Sequence, residues 1–116
     1  MEISNKELEE IVYQKLKKLP ALFRRKLENV EFFVENGDSF ELLGLYHGIP
    51  FGNRKNGGYN FVLPDKIIIY RKPLLAMCRS RKELERVVEE TLLHEIGHYF
   101  GFTERQLRIM ESRKNT

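Results

Sequence analysis

The stretch "LLHEIGHYFGFTE", Leu92 to Glu104, places His94, Glu95 and His98 at the spacing H-E-x-x-H. Histidines four residues apart on a helix project from the same face. Two neutral imidazoles so placed can share one zinc ion. Glu95 lies about 100 degrees further round the helix. That direction takes it away from the ion itself and towards a water beside it. Zinc brings such a water to a pKa of about 7, and a carboxylate within reach accepts its proton as general base. The chemistry encoded by this spacing is metal-assisted hydrolysis.

Zinc needs at least one further protein ligand. Gly101 permits the helix to stop and the chain to reverse. Glu104, the eleventh residue counted from His94, then returns towards the histidines, and a carboxylate is an acceptable ligand. Helix dipoles also favour an acidic residue in a first turn, whatever its chemistry. His47 and Asp65 are rival ligands, although His47 also fits a surface position and Asp65, beside Pro64, a turn. Tyr46, Arg54 and Tyr59 are candidates to stabilise an oxyanion.

Several elements must hold these groups. Ser80 and Glu83 form an S-x-x-E capping box that opens a helix reaching to about Phe100. Leu84, Val87, Val88, Thr91 and Leu92 make its apolar stripe, and the line Val87, Thr91, His94, His98 turns the histidines inward. Thr103 and Gln106 form another box, from which a last helix starts near Glu104 and carries Leu107 and Met110 inward. At the N-terminus, Ser4 and Glu7 cap a helix whose apolar residues are Leu8, Ile11, Val12, Leu16 and Leu19, stopped by Pro20. A short helix covers Leu22 to Leu27. Val30–Glu35 reads as a strand, Asn36-Gly37 as a hairpin turn, and Phe40–His47 as its partner strand. Lys66–Arg71 is a further strand ending before Pro73. Between Gly48 and Asp65 lie 18 residues with four glycines, two prolines and three asparagines. Loops of this length are usually functional or mobile, and a short strand over Tyr59–Leu63 is expected inside this one. Together these elements predict an α+β (mixed α/β) domain.

With 116 residues, positions 1–116 suit a single domain. The net charge of +3, from 20 basic and 17 acidic residues, is too small to argue for nucleic acid. Lys15, Lys17, Lys18, Arg24, Arg25 and Lys26 read as a solvated face. No apolar run approaches the roughly 20 residues that span a bilayer. The polar start, Met1 to Glu10, is expected to be neither secretory signal nor pro-segment. The single cysteine, Cys78, allows no internal disulfide and suits a cytoplasmic setting.

The segments "LLGLYHGIPFGNR", "LPDKIIIYRKPLL" and "VVEETLLHEIGHYFGFTERQL" resemble the small bacterial minimal zincins, a zincin-like metallopeptidase family. The resemblance covers most of the chain from Leu42 on. It implies a small zincin-like domain, with a short mixed sheet packed against the N-terminal helix, the H-E-x-x-H helix and the C-terminal helix. It also implies one zinc ion held by His94 and His98, Glu95 as catalytic base, and a carboxylate ligand at position 104. The expected activity is that of an endopeptidase on a peptide or unstructured protein lying along an exposed strand edge, with no nucleic-acid or membrane partner. The family usually has aspartate at position 104 and commonly alanine at position 97, where this chain has Glu104 and Gly97. Met110 stands in no Met-turn and reads as core. A zincin site kept for binding or stability, with little turnover, is the competing expectation.

Overall fold

A computed structural model describes residues 1–38, 42–50 and 63–114. The order is α1 (Asn5–Lys17), α2 (Ala21–Lys26), β1 (Val30–Glu35), β2 (Gly44–His47), β3 (Asp65–Tyr70), α3 (Arg71–Met77), α4 (Arg81–Tyr99) and α5 (Glu104–Lys114). Arg54, Tyr59, Phe40 and most of the strand expected over Tyr59–Leu63 lie outside the described residues.

The three strands form a mixed sheet in the order β1-β3-β2. β1 runs parallel to β3, with Val30 opposite Asp65 and Glu35 opposite Tyr70. β2 runs antiparallel to it, with Gly44 opposite Ile69 and His47 opposite Lys66. The most β-branched run, "KIIIY", therefore takes the centre, where strands buried by neighbours are near-continuously apolar. Ile67 and Ile69 are fully buried there. They pack with Leu8, Ile11 and Val12 of α1, Leu74 of α3, and Leu84, Val88, Leu92 and Ile96 of α4. This is the α+β architecture expected from the sequence.

The expected β1–β2 hairpin is not formed, because β3 lies between the two strands. The turn chemistry at Asn36-Gly37 is nonetheless used. Gly37 has φ +87°, and its missing side chain leaves room for Tyr70 and Pro73. The Asn36 carbonyl accepts the Lys72 N–H at 2.9 Å. The turn thus docks on the β3–α3 junction. α3 itself was not anticipated. Pro73 stands in its first turn, where proline costs no hydrogen bond, so it lies inside a helix instead of merely closing a strand. Arg71, read as the end of the strand, begins that helix.

The start of α1 follows the sequence, whereas its end comes earlier, at Lys17 with Lys18 as the cap, so Leu19 lies beyond the helix. Ser4 and Glu7 make both reciprocal bonds of the capping box, at 3.1 and 3.2 Å. At α4 the Ser80 hydroxyl accepts the Glu83 N–H at 3.1 Å, but the Glu83 carboxylate accepts from Arg79 instead of Ser80, at 2.7 Å. Tyr99, fully buried, ties the end of α4 to the α2–β1 junction. Its hydroxyl lies 3.2 Å from the Lys26 carbonyl and 3.1 Å from that of Glu28.

Candidate metal centre

The site is assembled where α4 ends and α5 begins. The Gly101 N–H bonds the His98 carbonyl at 2.9 Å, and the Phe102 N–H bonds the Gly97 carbonyl at 3.0 Å. This pair of bonds is the Schellman stop, and it requires the left-handed φ of +99° that Gly101 supplies. Thr103 then caps α5. Its hydroxyl accepts the Gln106 N–H at 3.1 Å, and the Gln106 side chain accepts the Thr103 N–H at 2.8 Å. α5 docks through Leu107, which is buried. A Cβ added at Gly97 would stand 2.6 Å from the Leu107 Cδ2. The glycine that weakens α4 by about 0.5–1 kcal/mol relative to alanine is therefore the seat of the next helix. Met110 does not share that face: it is exposed, a correction to its expected place in the core.

This docking carries Glu104 to the histidines. Its Oε1 lies 3.0 Å from Nε2 of His94 and 2.6 Å from Nε2 of His98. The two imidazoles stand with centroids 5.0 Å apart and planes at 79°. Among the described residues, His94, His98 and Glu104 form a group that could hold one metal ion, with one ligand atom from each, all within 4.8 Å of one another. Two imidazoles and a carboxylate are an N₂O donor set suited to zinc. The outer nitrogens are engaged as well. Nδ1 of His98 lies 3.0 Å from the Phe102 carbonyl, and Nδ1 of His94 lies 2.8 Å from Oε2 of Glu111.

Glu95 is only 8% exposed. Burial pushes its carboxyl above the usual carboxylate range, while His94, His98 and a hydrogen bond from the Tyr46 backbone pull it back. Bonds to His94 and then His98 hold the Glu104 carboxyl below that range. For His94, burial works to lower the pKa, but the bonds to Glu111 and Glu104 outweigh it and the imidazole is raised.

Strand β2 forms the facing wall. A Cβ at Gly44 would lie 2.8 Å from the Thr91 Cγ2 and 3.4 Å from the Glu95 Cγ, so glycine there lets α4 approach the strand. Grooves of about 340 and 380 Å³ open on either side. Both are lined by Leu42, Gly44, Glu95 and Glu104.

The remaining candidates fall elsewhere. Tyr46 lines one groove, but its hydroxyl donates to Asp65 at 2.5 Å. Asp65 is buried and is not one of the three residues of the cluster. His47 is exposed at the end of β2, outside the cluster. Glu111 goes unflagged by the motif. Its signal is a spacing of seven from Glu104, which puts both on one face of α5 with Leu107 between them.

A family model described as zincin-like metallopeptidase matches residues 21–113. The chain belongs to that family. The match takes in α2 to α5, and so every residue of the metal cluster and the strand that faces it. Within this zincin-like domain, two of the segments quoted above meet at Asp65: "LLGLYHGIPFGNR" supplies Tyr46 and Ile49 as donors, and "LPDKIIIYRKPLL" supplies the carboxylate. The zincin-like fold also resembles a solved structure, a conserved hypothetical protein from Thermo thermophilus. It is 25% identical, with a TM-score of 0.56 over 95% of this chain and 99% of that one. No curated protein matches the chain. Among the described residues, no helix is long and apolar enough to cross a membrane.

Proposed function

We propose that the protein is a zinc-dependent endopeptidase acting on extended or unstructured polypeptide in the cytoplasm. The observation that carries this reading is the convergence of His94, His98 and Glu104 beside a buried Glu95, at the edge of a strand. A site that only stabilised the fold would not need a buried carboxylate next to its ligands. Zinc held by the three groups supplies Lewis acidity and a water that is nucleophilic near neutral pH.

The chain's own groups do the rest. Glu95 takes the proton of the attacking water and delivers it to the leaving amine. The Tyr46 backbone, bonded to the Glu95 carboxylate, holds that base in place. The Leu43 carbonyl bonds the Tyr70 N–H. Alternation along the strand therefore turns the backbone of Gly44 and Tyr46 away from β3, to the edge of β2 on which, among the described residues, no further strand pairs. An extended substrate can add to the Gly44 part of that edge by β-augmentation. The grooves on either side would take its flanking residues. The lone buried thiol of Cys78 supports the cytoplasmic setting.

The test is zinc content and hydrolysis of an unstructured protein, wild type against Glu95→Gln. The variant is expected to bind zinc as wild type does and to lose about 10²–10⁴-fold in hydrolysis. Equal hydrolysis by the two proteins would overturn the peptidase reading.

A further inference from the structure

Each ligand histidine is held at both ring nitrogens. Nε2 of each faces Glu104, and Nδ1 of each has an outer acceptor. For His98 that acceptor is a carbonyl fixed by the helix stop. For His94 it is the Glu111 carboxylate at 2.8 Å. The two acids of α5, Glu104 and Glu111, thus both go to His94, one to each side of its ring. Leu107 between them is buried and seated on Gly97, which sets the helix in register with the ring. Glu111 cannot also reach an ion shared by the Nε2 atoms, because Nδ1 and Nε2 point to different sides of the imidazole.

We infer that Glu111 is a positioning residue of the metal centre. It accepts the Nδ1–H of His94, fixes the rotation and tautomer of the ring, and so commits Nε2 to the ion. Histidine ligands in general depend on such outer acceptors for orientation and basicity. The alternative is a surface contact without consequence, since Glu111 is half exposed, with its side chain 51% accessible, and exposed pairs contribute little. The inference rests on the metal-binding part of the proposed function and not on peptidase turnover.

The experiment is a zinc competition titration against a chromophoric chelator, with wild type, Glu111→Ala, Glu111→Gln and Glu104→Ala. Circular dichroism of each metal-free protein checks the fold. Glu111→Ala is expected to bind zinc about 10–100-fold more weakly. Glu111→Gln keeps an oxygen that accepts the same N–H, so it should retain most of the affinity. Glu104→Ala should lose more than either. In the proton NMR spectrum of the zinc-loaded protein, the His94 Nδ1–H should appear downfield in wild type and Glu111→Gln, and vanish by exchange in Glu111→Ala. Wild-type affinity in Glu111→Ala would overturn the proposal. So would equal losses in the two Glu111 variants, which would point to charge instead of a hydrogen bond. Wild type without zinc affinity would sink both this proposal and the function above. Zinc binding in the expected order without hydrolysis would sink only the peptidase.

Discussion

Asp65 is a carboxylate only 5% exposed, and a buried charge must find donors inside the protein. It finds the Tyr46 hydroxyl at 2.5 Å and the Ile49 N–H at 3.4 Å. Gly48 makes room for it, since a Cβ there would stand 2.3 Å from the Asp65 Cγ. From sequence, Asp65 reads as a turn residue or a rival ligand and Tyr46 as an oxyanion donor. Their pairing is invisible there because it depends on β2 lying antiparallel beside β3, across 19 residues of chain. Tyr46→Phe removes one donor and leaves the carboxylate buried. It is expected to destabilise the fold by about 1–3 kcal/mol, read as a lower urea midpoint with unchanged slope. Asp65→Asn should cost less, because its amide oxygen still accepts. Should Tyr46→Phe instead leave stability unchanged and depress hydrolysis, the hydroxyl would belong to the reaction and not to Asp65.

Helix ends were legible because capping is local chemistry. Ser4, Ser80, Gly101 and Thr103 each act within a few residues of themselves, and each does so in the structure. The Asn36-Gly37 hairpin was misread for the opposite reason: its dipeptide specifies a left-handed turn, not what the following chain pairs with. The role of Gly97 is likewise non-local, since it is Leu107 of the next helix that needs the space a Cβ would fill. α5 depends on this local chemistry most. Among its described residues Leu107 alone is buried, and its other ties to the body include Glu104 and Glu111 on His94. Gly101→Ala would force a side chain into φ +99°, at a cost of at least about 1–2 kcal/mol. It would also disturb the Phe102 carbonyl that receives Nδ1 of His98. Two outcomes are expected. Zinc should slow tryptic cleavage after Arg105 and Arg108 in wild type. In Gly101→Ala, cleavage there should be faster at every zinc concentration. Equal rates with and without zinc in wild type would show that the docking of α5 is indifferent to the metal.

At the scale of the whole molecule, the H-E-x-x-H motif and its caps occupy the last third of the chain, while the sheet that faces them comes from the middle. The α+β class followed from the mix of periods, and the convergence of His94, His98 and Glu104 from spacing. The strand order did not follow, because β3 enters between two strands that precede it in sequence, a choice made by burying Ile67 and Ile69. The same topology would make a bound metal a fastener. His94 and His98 belong to α4, which packs on both β2 and β3, whereas Glu104 belongs to a helix in which Leu107 alone of the described side chains is buried. An ion that takes ligands from both joins the C-terminal helix to the core, and it binds the folded chain alone because the unfolded chain does not bring the three groups together. Free zinc at about 100 times its dissociation constant should then stabilise the protein by about 2.7 kcal/mol. For a chain of this size that raises the melting temperature by roughly 10 °C. A chelator should reverse the shift completely, and Glu104→Ala should reduce it at the same zinc concentration. Because α1 and the sheet take no part in the cluster, the metal-free protein should still melt cooperatively. If it shows no cooperative transition, the metal is a condition of folding in this protein and not a ligand of a fold already formed.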